Sequence, residues 1–201
     1  MAKNLTQINL SRNSLTGQIT STHWKDLPNL VNLNLRSNSF NGSIPVSLFS
    51  LPSLQKLQLS NNRFSGLLNE FSNVFSSAMD TLDLSSNKLE GSIPTSVFEL
   101  RGLKILLLSS NNFSGSFQLN KIQQLRNLAN LDLSYTSLLI DEYNGTNSSL
   151  PPIPQITTVK LVSCKLNKIP DFLRNQSKLA ILDLSNNQIH GKISNWICYF
   201  T

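Results

Sequence analysis

Leu30 to Pro45 reads LVNLNLRSNSFNGSIP, and its pattern returns along the whole chain. Leu30, Leu33 and Leu35 give L-x-x-L-x-L, and Asn38, Phe40, Gly42, Ile44 and Pro45 follow. Asn38 has counterparts at Asn13, Asn62, Asn87, Asn111, Thr136, Cys164 and Asn187. Counted from Asn13, the steps are 25, 24, 25, 24, 25, 28 and 23 residues. A period of this length marks an array of small units, each burying its apolar face against the next, so that the core is a continuous rod.

Each position in the unit has a physical task. The last two leucines of L-x-x-L-x-L alternate with period two, as in a half-buried strand. One strand per unit is expected, for example Asn32 to Leu35 and Thr81 to Leu84. Eight parallel strands at about 4.8 Å make a sheet roughly 34 Å long. The Asn falls where the chain leaves the sheet. Its amide both donates and accepts, so stacked Asn side chains can satisfy turn backbone that would otherwise be buried unpaired. Gly and Ile-Pro punctuate a second turn. Trp24, Phe49 and Phe98 each stand eleven residues after the Asn position and are expected under the convex side. Unit six loses both Asn and Gly and runs on through DEYNGTNSSLPPIP, an expansion near residues 134–155.

Composition narrows the function. The 201 residues carry a net charge of +6, only 14% are charged, and Lys and Arg form no run. A nucleic-acid partner would need a clustered basic patch. No apolar stretch of about 18 residues is present to span a membrane. The two cysteines, Cys164 and Cys198, have no metal or redox spacing. Cys164 stands at the Asn position, where a buried thiol fits; Cys198 lies in the apolar run WICYF, its state open. His23 and His190 sit in different units without a nucleophile motif beside them. Asp83, Asp132 and Asp183 share one strand position. The first two, about 10 Å apart, would form a carboxylate pair only if L-D-L-S were not simply the repeat consensus. Neither catalysis, nor a metal, nor a cofactor is indicated.

The pattern L-x-x-L-x-L-x-x-N-x-L-x-G-x-I-P resembles the plant extracellular leucine-rich repeat, and units two and four match it almost letter for letter. The resemblance covers essentially all of the chain. It implies a right-handed leucine-rich-repeat solenoid of the β/α type. A parallel concave sheet of about eight short strands would face a convex side of turns and short 3-10 helices, with secondary strands at L-x-G-x-I-P. The segment Leu161 to Trp196 more narrowly resembles receptor-like proteins of plant immunity, the Verticillium-wilt-resistance type. That type carries a signal peptide, a long repeat ectodomain, one transmembrane helix and no kinase. The paired cysteines of the family's end caps are missing here, so the chain reads as an internal ectodomain fragment forming a single repeat domain.

The leucines of a solenoid are committed to its core, which leaves the outward strand positions for a ligand. The candidate set is Arg12, Asn34, Arg36, Lys56, Gln58, Asp83, Ile105, Leu107, Asp132, Tyr135 and Lys160. Arg12, Arg36 and Lys56 make a basic end. Ile105, Leu107 and Tyr135 put apolar groups where the repeat usually places polar ones, as a peptide or protein contact does; drift on a tolerant surface gives the same pattern. Lys160 replaces the usual Asp. The long loop of unit six is a second candidate. Glycosylation sequons stand at Asn4, Asn9, Asn41, Asn112, Asn144, Asn147 and Asn175, with Asn41, Asn112 and Asn144 expected in turns and used first.

By resemblance, the chain would bind a peptide, protein or cell-wall glycan at the extracellular face of the plasma membrane. It would signal through an adaptor receptor kinase and a co-receptor kinase. Two rival expectations are a secreted inhibitor resembling the polygalacturonase-inhibiting proteins and a truncated product without activity.

Overall fold

Leucine at every second position, repeated at the unit period, becomes a parallel ladder. The computed structural model describes residues 3–22, 24–71, 78–141, 152–193 and 196–197. In chain order the strands are β1 (Gln7–Asn9), β2 (Thr16–Gln18), β3 (Asn32–Asn34), β4 (Ser39–Gly42), β5 (Lys56–Gln58), β6 (Arg63–Leu67) and β7 (Thr81–Asp83). They continue as β8 (Lys88–Gly91), β9 (Ile105–Leu107), β10 (Asn112–Gln118), β11 (Asn130–Asp132), β12 (Ser137–Asp141), β13 (Thr158–Lys160) and β14 (Ile181–Asp183). Eight of them form one sheet in the order β1-β3-β5-β7-β9-β11-β13-β14. The other six form a second sheet in the order β12-β10-β8-β6-β4-β2. The architecture is the expected leucine-rich-repeat solenoid.

The central residue of each strand in the larger sheet points inward, and register stacks Ile8, Leu33, Leu57, Leu82, Leu106, Leu131, Val159 and Leu182 in one row. Leu33 through Val159 in that row are fully buried. Each such side chain contributes about 1.5–3 kcal/mol of burial. Burial depends on having a neighbour on both sides. Leu5 and Leu10 of unit one are 37% and 44% exposed, whereas their counterparts Leu30 and Leu35 are 0% and 2% exposed.

The expected strands end one residue early, at Asn34 and Asp83. Backbone pairing nevertheless continues beyond them: Leu35 N–H donates to Gln58 O at 2.9 Å and Leu84 N–H to Leu107 O at 2.9 Å. The chain then turns through a left-handed residue in every unit: Arg12, Ser37, Asn61, Ser86, Ser110, Tyr135, Ser163 and Asn186 all have φ between 54° and 59°. The ladder residue comes next. Asn62 Nδ2 donates to Leu35 O (3.0 Å), Leu59 O (3.0 Å) and Ser60 O (3.2 Å). Its Oδ1 accepts the Phe40 N–H at 3.1 Å. One amide therefore closes its own turn and ties it to the preceding unit. Asn38, Asn87, Asn111 and Asn187 repeat the arrangement.

Unit six does without it. The Thr136 hydroxyl donates to Leu133 O, and the Cys164 thiol contacts the same carbonyl. There the second sheet has its longest pairing, five residue pairs from Ser114↔Ser137 to Gln118↔Asp141. The glycine position of other units, Gly42 and Gly91 with φ of +74°, is occupied by Ile140. A β-branched residue resists positive φ, so the backbone stays extended. The remainder of the expansion, with Asn144 and Asn147, lies outside the described residues.

Proline begins the convex side. Pro45, Pro94 and Pro170 each precede a 3-10 segment, at Val46–Ser50, Thr95–Glu99 and Asp171–Asn175. The eleventh-residue aromatics lie beneath them: Phe49 and Phe98 are buried, and Trp24 packs on the core. Phe49 stacks on Phe71 with ring centroids 4.1 Å apart. Glu70 reaches the next unit and caps its 3-10 segment, accepting from Thr95 N–H (2.7 Å), the Thr95 hydroxyl (2.9 Å) and Ser96 N–H (2.9 Å). Desolvation raises its pKa, but the bonds from Ser96 and Thr95 outweigh this and hold it down at about 2.

Two outcomes follow for stability. Asn62→Ala strands buried carbonyls and the Phe40 N–H, and urea denaturation is expected to show a loss of about 2–4 kcal/mol. Asn62→Thr, which copies unit six, is expected to lose less. The Glu70 carboxyl is depressed on folding, so its stabilisation is full above the ordinary carboxylate range and fades as pH falls towards about 2. Wild type and Glu70→Gln are therefore expected to differ in denaturation midpoint at neutral pH and to converge in acid. A pH-independent gap would assign the difference to packing.

Candidate functional site

Register sorts the outward side chains of the larger sheet into rows. One row runs Asn9, Asn34, Gln58, Asp83, Leu107, Asp132, Lys160, Asp183. The row beside it runs Gln7, Asn32, Lys56, Thr81, Ile105, Asn130, Thr158, Ile181. Six of the eleven expected binding residues thus fall in the first row, and Lys56 and Ile105 in the second. Arg12 and Tyr135 lie past the strand ends in the left-handed turns. Arg36 also lies beyond its strand, one residue before such a turn.

Within these rows the structure draws a smaller set together. A concave depression of about 450 Å³ is lined by Arg36, Gln58, Asp83, Ile105 and Leu107 of the expected residues. Ser60, Asn61, Thr81, Ser85, Ser86 and Asn130 complete it. The same spacing yields these short polar residues, but nothing in their chemistry separates them from other solvated positions. Arg12, Asn34, Lys56, Asp132, Tyr135 and Lys160 lie outside the depression. The apolar patch is accordingly Ile105 with Leu107, both half-buried, while Tyr135 stands apart at 56% exposure.

Asp83 departs from the expectation of an outward carboxylate. It is only 7% exposed, and its Oδ1 accepts from the Ser85 N–H (3.2 Å) and the Ser85 hydroxyl (2.6 Å). The same closure occurs at Asn9 with Ser11 and at Asp183 with Ser185. Asn34 and Asp132 accept from the backbone two residues on. This is the turn that Asx side chains make with their own backbone. The L-D-L-S consensus therefore closes the end of each strand. The Ser185 hydroxyl and N–H hold the Asp183 carboxyl below its usual range, with Lys160 adding to the effect.

Arg36 is different. Its Nε is buried and has no hydrogen-bond partner. It is a cation at the edge of the depression with hydrogen-bonding capacity to spare.

Other candidates fall away. Burial, and then the Asp132 charge, push the Cys164 thiol up to about 11, as befits a packed side chain. Among the described residues no group of three or more His, Cys, Asp or Glu is arranged to hold a metal. No helix among them is long and apolar enough to cross a membrane. His23 and Cys198 lie outside the described residues. Asn4, Asn9, Asn41, Asn112 and Asn175 are exposed. Asn41 and Asn112 occupy β4 and β10, not turns, because the stretch after the ladder residue pairs as a second sheet.

Family models described as leucine rich repeat match residues 3–64, 79–100 and 178–200, together more than half of the chain. Over 172 residues, 85% of the chain, it is 46% identical to Receptor-like protein 49 of Arabidopsis thaliana. The chain spans 20% of that relative's length. The structure is similar to that of the Arabidopsis receptor kinase HAESA, solved with the peptide hormone IDA and the co-receptor SERK1. There the TM-score is 0.81 at 28% identity, over 98% of this chain and 32% of that one. It is also similar to the plant peptide hormone receptor RGFR1, solved in complex with RGF2. That match has a TM-score of 0.78 at 28% identity, over 97% and 30% of the two chains.

Tyr135 offers a local test. An aromatic residue at φ 55° is strained, and the other units place Arg, Ser or Asn there. Tyr135→Asn is expected to raise stability by about 1 kcal/mol, read as a higher urea midpoint. An unchanged or lower midpoint would mean that packing of the ring offsets the strain.

Proposed function

The chain belongs to the leucine-rich-repeat family, and from that premise we propose that it is a ligand-capturing part of the ectodomain of a plant cell-surface receptor-like protein. It forms one repeat domain of about eight units within a longer protein. Its concave sheet takes up an extracellular peptide or protein at the plasma membrane, in immune or developmental signalling. A co-receptor kinase and an adaptor kinase complete the complex. Supporting this reading, the match to Receptor-like protein 49 runs through most of the chain, and both similar structures are of receptors in complex, HAESA with the peptide hormone IDA and the co-receptor SERK1, and the peptide hormone receptor RGFR1 with RGF2. Recognition, not catalysis, is the role that these similarities point to. Glycans on Asn41 and Asn112 would ride on the second sheet and leave the concave face open.

The observation that carries the proposal is Leu107. Register places it between Asp83 and Asp132, with Ile105 beside it and the polar Thr81 and Asn130 flanking Ile105. An apolar pair flanked by polar groups is worth desolvating only against a partner.

The test uses a phage-displayed library of random twelve-residue peptides, selected on the chain. Peptides enriched on wild type are expected to lose at least tenfold in affinity on Leu107→Asp, which removes the contact and adds a fourth carboxylate to the row. Val46→Asp, on an exposed convex position, is expected to bind as wild type does. Equal binding by Leu107→Asp would remove the concave patch from the recognition surface.

A further inference from the structure

The depression on the concave face has two unlike ends. Arg36, in unit two, holds a buried Nε with no partner, and Gln58 stands on the adjacent strand. Ile105 and Leu107, in unit five, supply the apolar end. Asp83 lies between them, buried and already engaged by Ser85, and Asp132 lies beyond Leu107.

Resting on the recognition role proposed above, we propose that the face reads an extended peptide by a spaced pair of side chains. An acidic residue pairs with Arg36, and a large apolar residue four or five positions away covers Ile105 and Leu107. Strand spacing sets the distance. From β3 to β9 is three steps of the sheet, about 14 Å, and Arg36 stands two residues beyond Asn34, the residue in register with Leu107, which adds about 7 Å along the strand and makes the diagonal roughly 16 Å. An extended chain advances roughly 3.3–3.6 Å per residue, so four or five residues span it. Charge sets the polarity. Arg36 is the one cation among the residues lining the depression, and a guanidinium pairs readily with a carboxylate. A ligand carboxylate shifted towards unit five would instead meet Asp83 and Asp132. The acid is therefore held at unit two, and the apolar residue falls where the row carries its one leucine.

The ligand source is unknown, so the probe is the same random twelve-residue phage library, selected separately on wild type, Arg36→Gln, Arg36→Lys and Leu107→Asn. Arg36→Gln keeps part of the apolar stem and is expected to melt close to wild type, and this is checked first. On wild type the enriched peptides are expected to carry Asp or Glu four or five residues from Leu, Ile, Phe or Met. Arg36→Gln is expected to lose the acidic preference at least tenfold in enrichment while keeping the apolar one. Arg36→Lys is expected to retain part of the acidic preference, and Leu107→Asn to lose the apolar preference alone. Three results overturn the proposal: no acidic preference on wild type, an acidic preference that survives Arg36→Gln, or a fixed spacing other than four or five. If any of these occurs while Leu107→Asp still abolishes binding, the concave recognition surface stands and only the charge rule falls. If no peptide enriches on wild type, the recognition surface and the rule fall together.

Discussion

Buried backbone at the turn off the larger sheet is the constraint on which this molecule depends. Every unit must leave the sheet inside the solenoid, where unpaired carbonyls and N–H groups are costly. One Asn side chain meets that demand by donating within its own unit and to the preceding one, and by accepting an N–H from it. The interaction is at once local closure and inter-unit adhesive. It fixes the spacing of successive strands, and so the register in which every concave side chain is presented.

Much of this was legible in the residues. Leucines at alternating positions specify eight strands, and the recurring Asn brings to each turn a short amide that both donates and accepts, with Thr136 and Cys164 as partial substitutes. Phe49 and Phe98 lie beneath the convex turns because the period puts them there. Other features could not be read. The burial of Asp83 comes from its closure onto Ser85, which looks in sequence like a free carboxylate on a strand. Arg12 and Tyr135 look like strand continuations until the φ of the residue before the Asn is known. Asn41 and Asn112 look like turn residues, although secondary strands are expected at L-x-G-x-I-P, because that stretch has too little apolar alternation to say where pairing begins; β4 starts at Ser39 and β10 at Asn112. The orphaned Arg36 Nε depends on packing alone.

Unit six shows how the scaffold tolerates change. Losing Asn at Thr136 removes an inter-unit tie, and losing Gly at Ile140 removes a bend. Together they leave a straight strand, β12, that pairs along five residues with β10. The compensation lies on the second sheet, so the concave rows pass through unit six in unbroken register from β9 to β13. Variation on one face is thereby isolated from recognition on the other. A receptor ectodomain that changes its ligand while keeping its scaffold needs that separation.

Site-resolved amide hydrogen exchange on Asn87→Ala tests the inter-unit tie most directly. In wild type the Phe64 N–H donates to Asn87 Oδ1 at 3.0 Å, and Asn87 Nδ2 donates to Leu59 O at 3.1 Å. If the ladder side chain joins units as described, the variant loses protection at Phe64 and in the strands of units three and four. Amides in units six and seven keep theirs. Protection that is unchanged at Phe64, or that falls evenly along the whole solenoid, would contradict it.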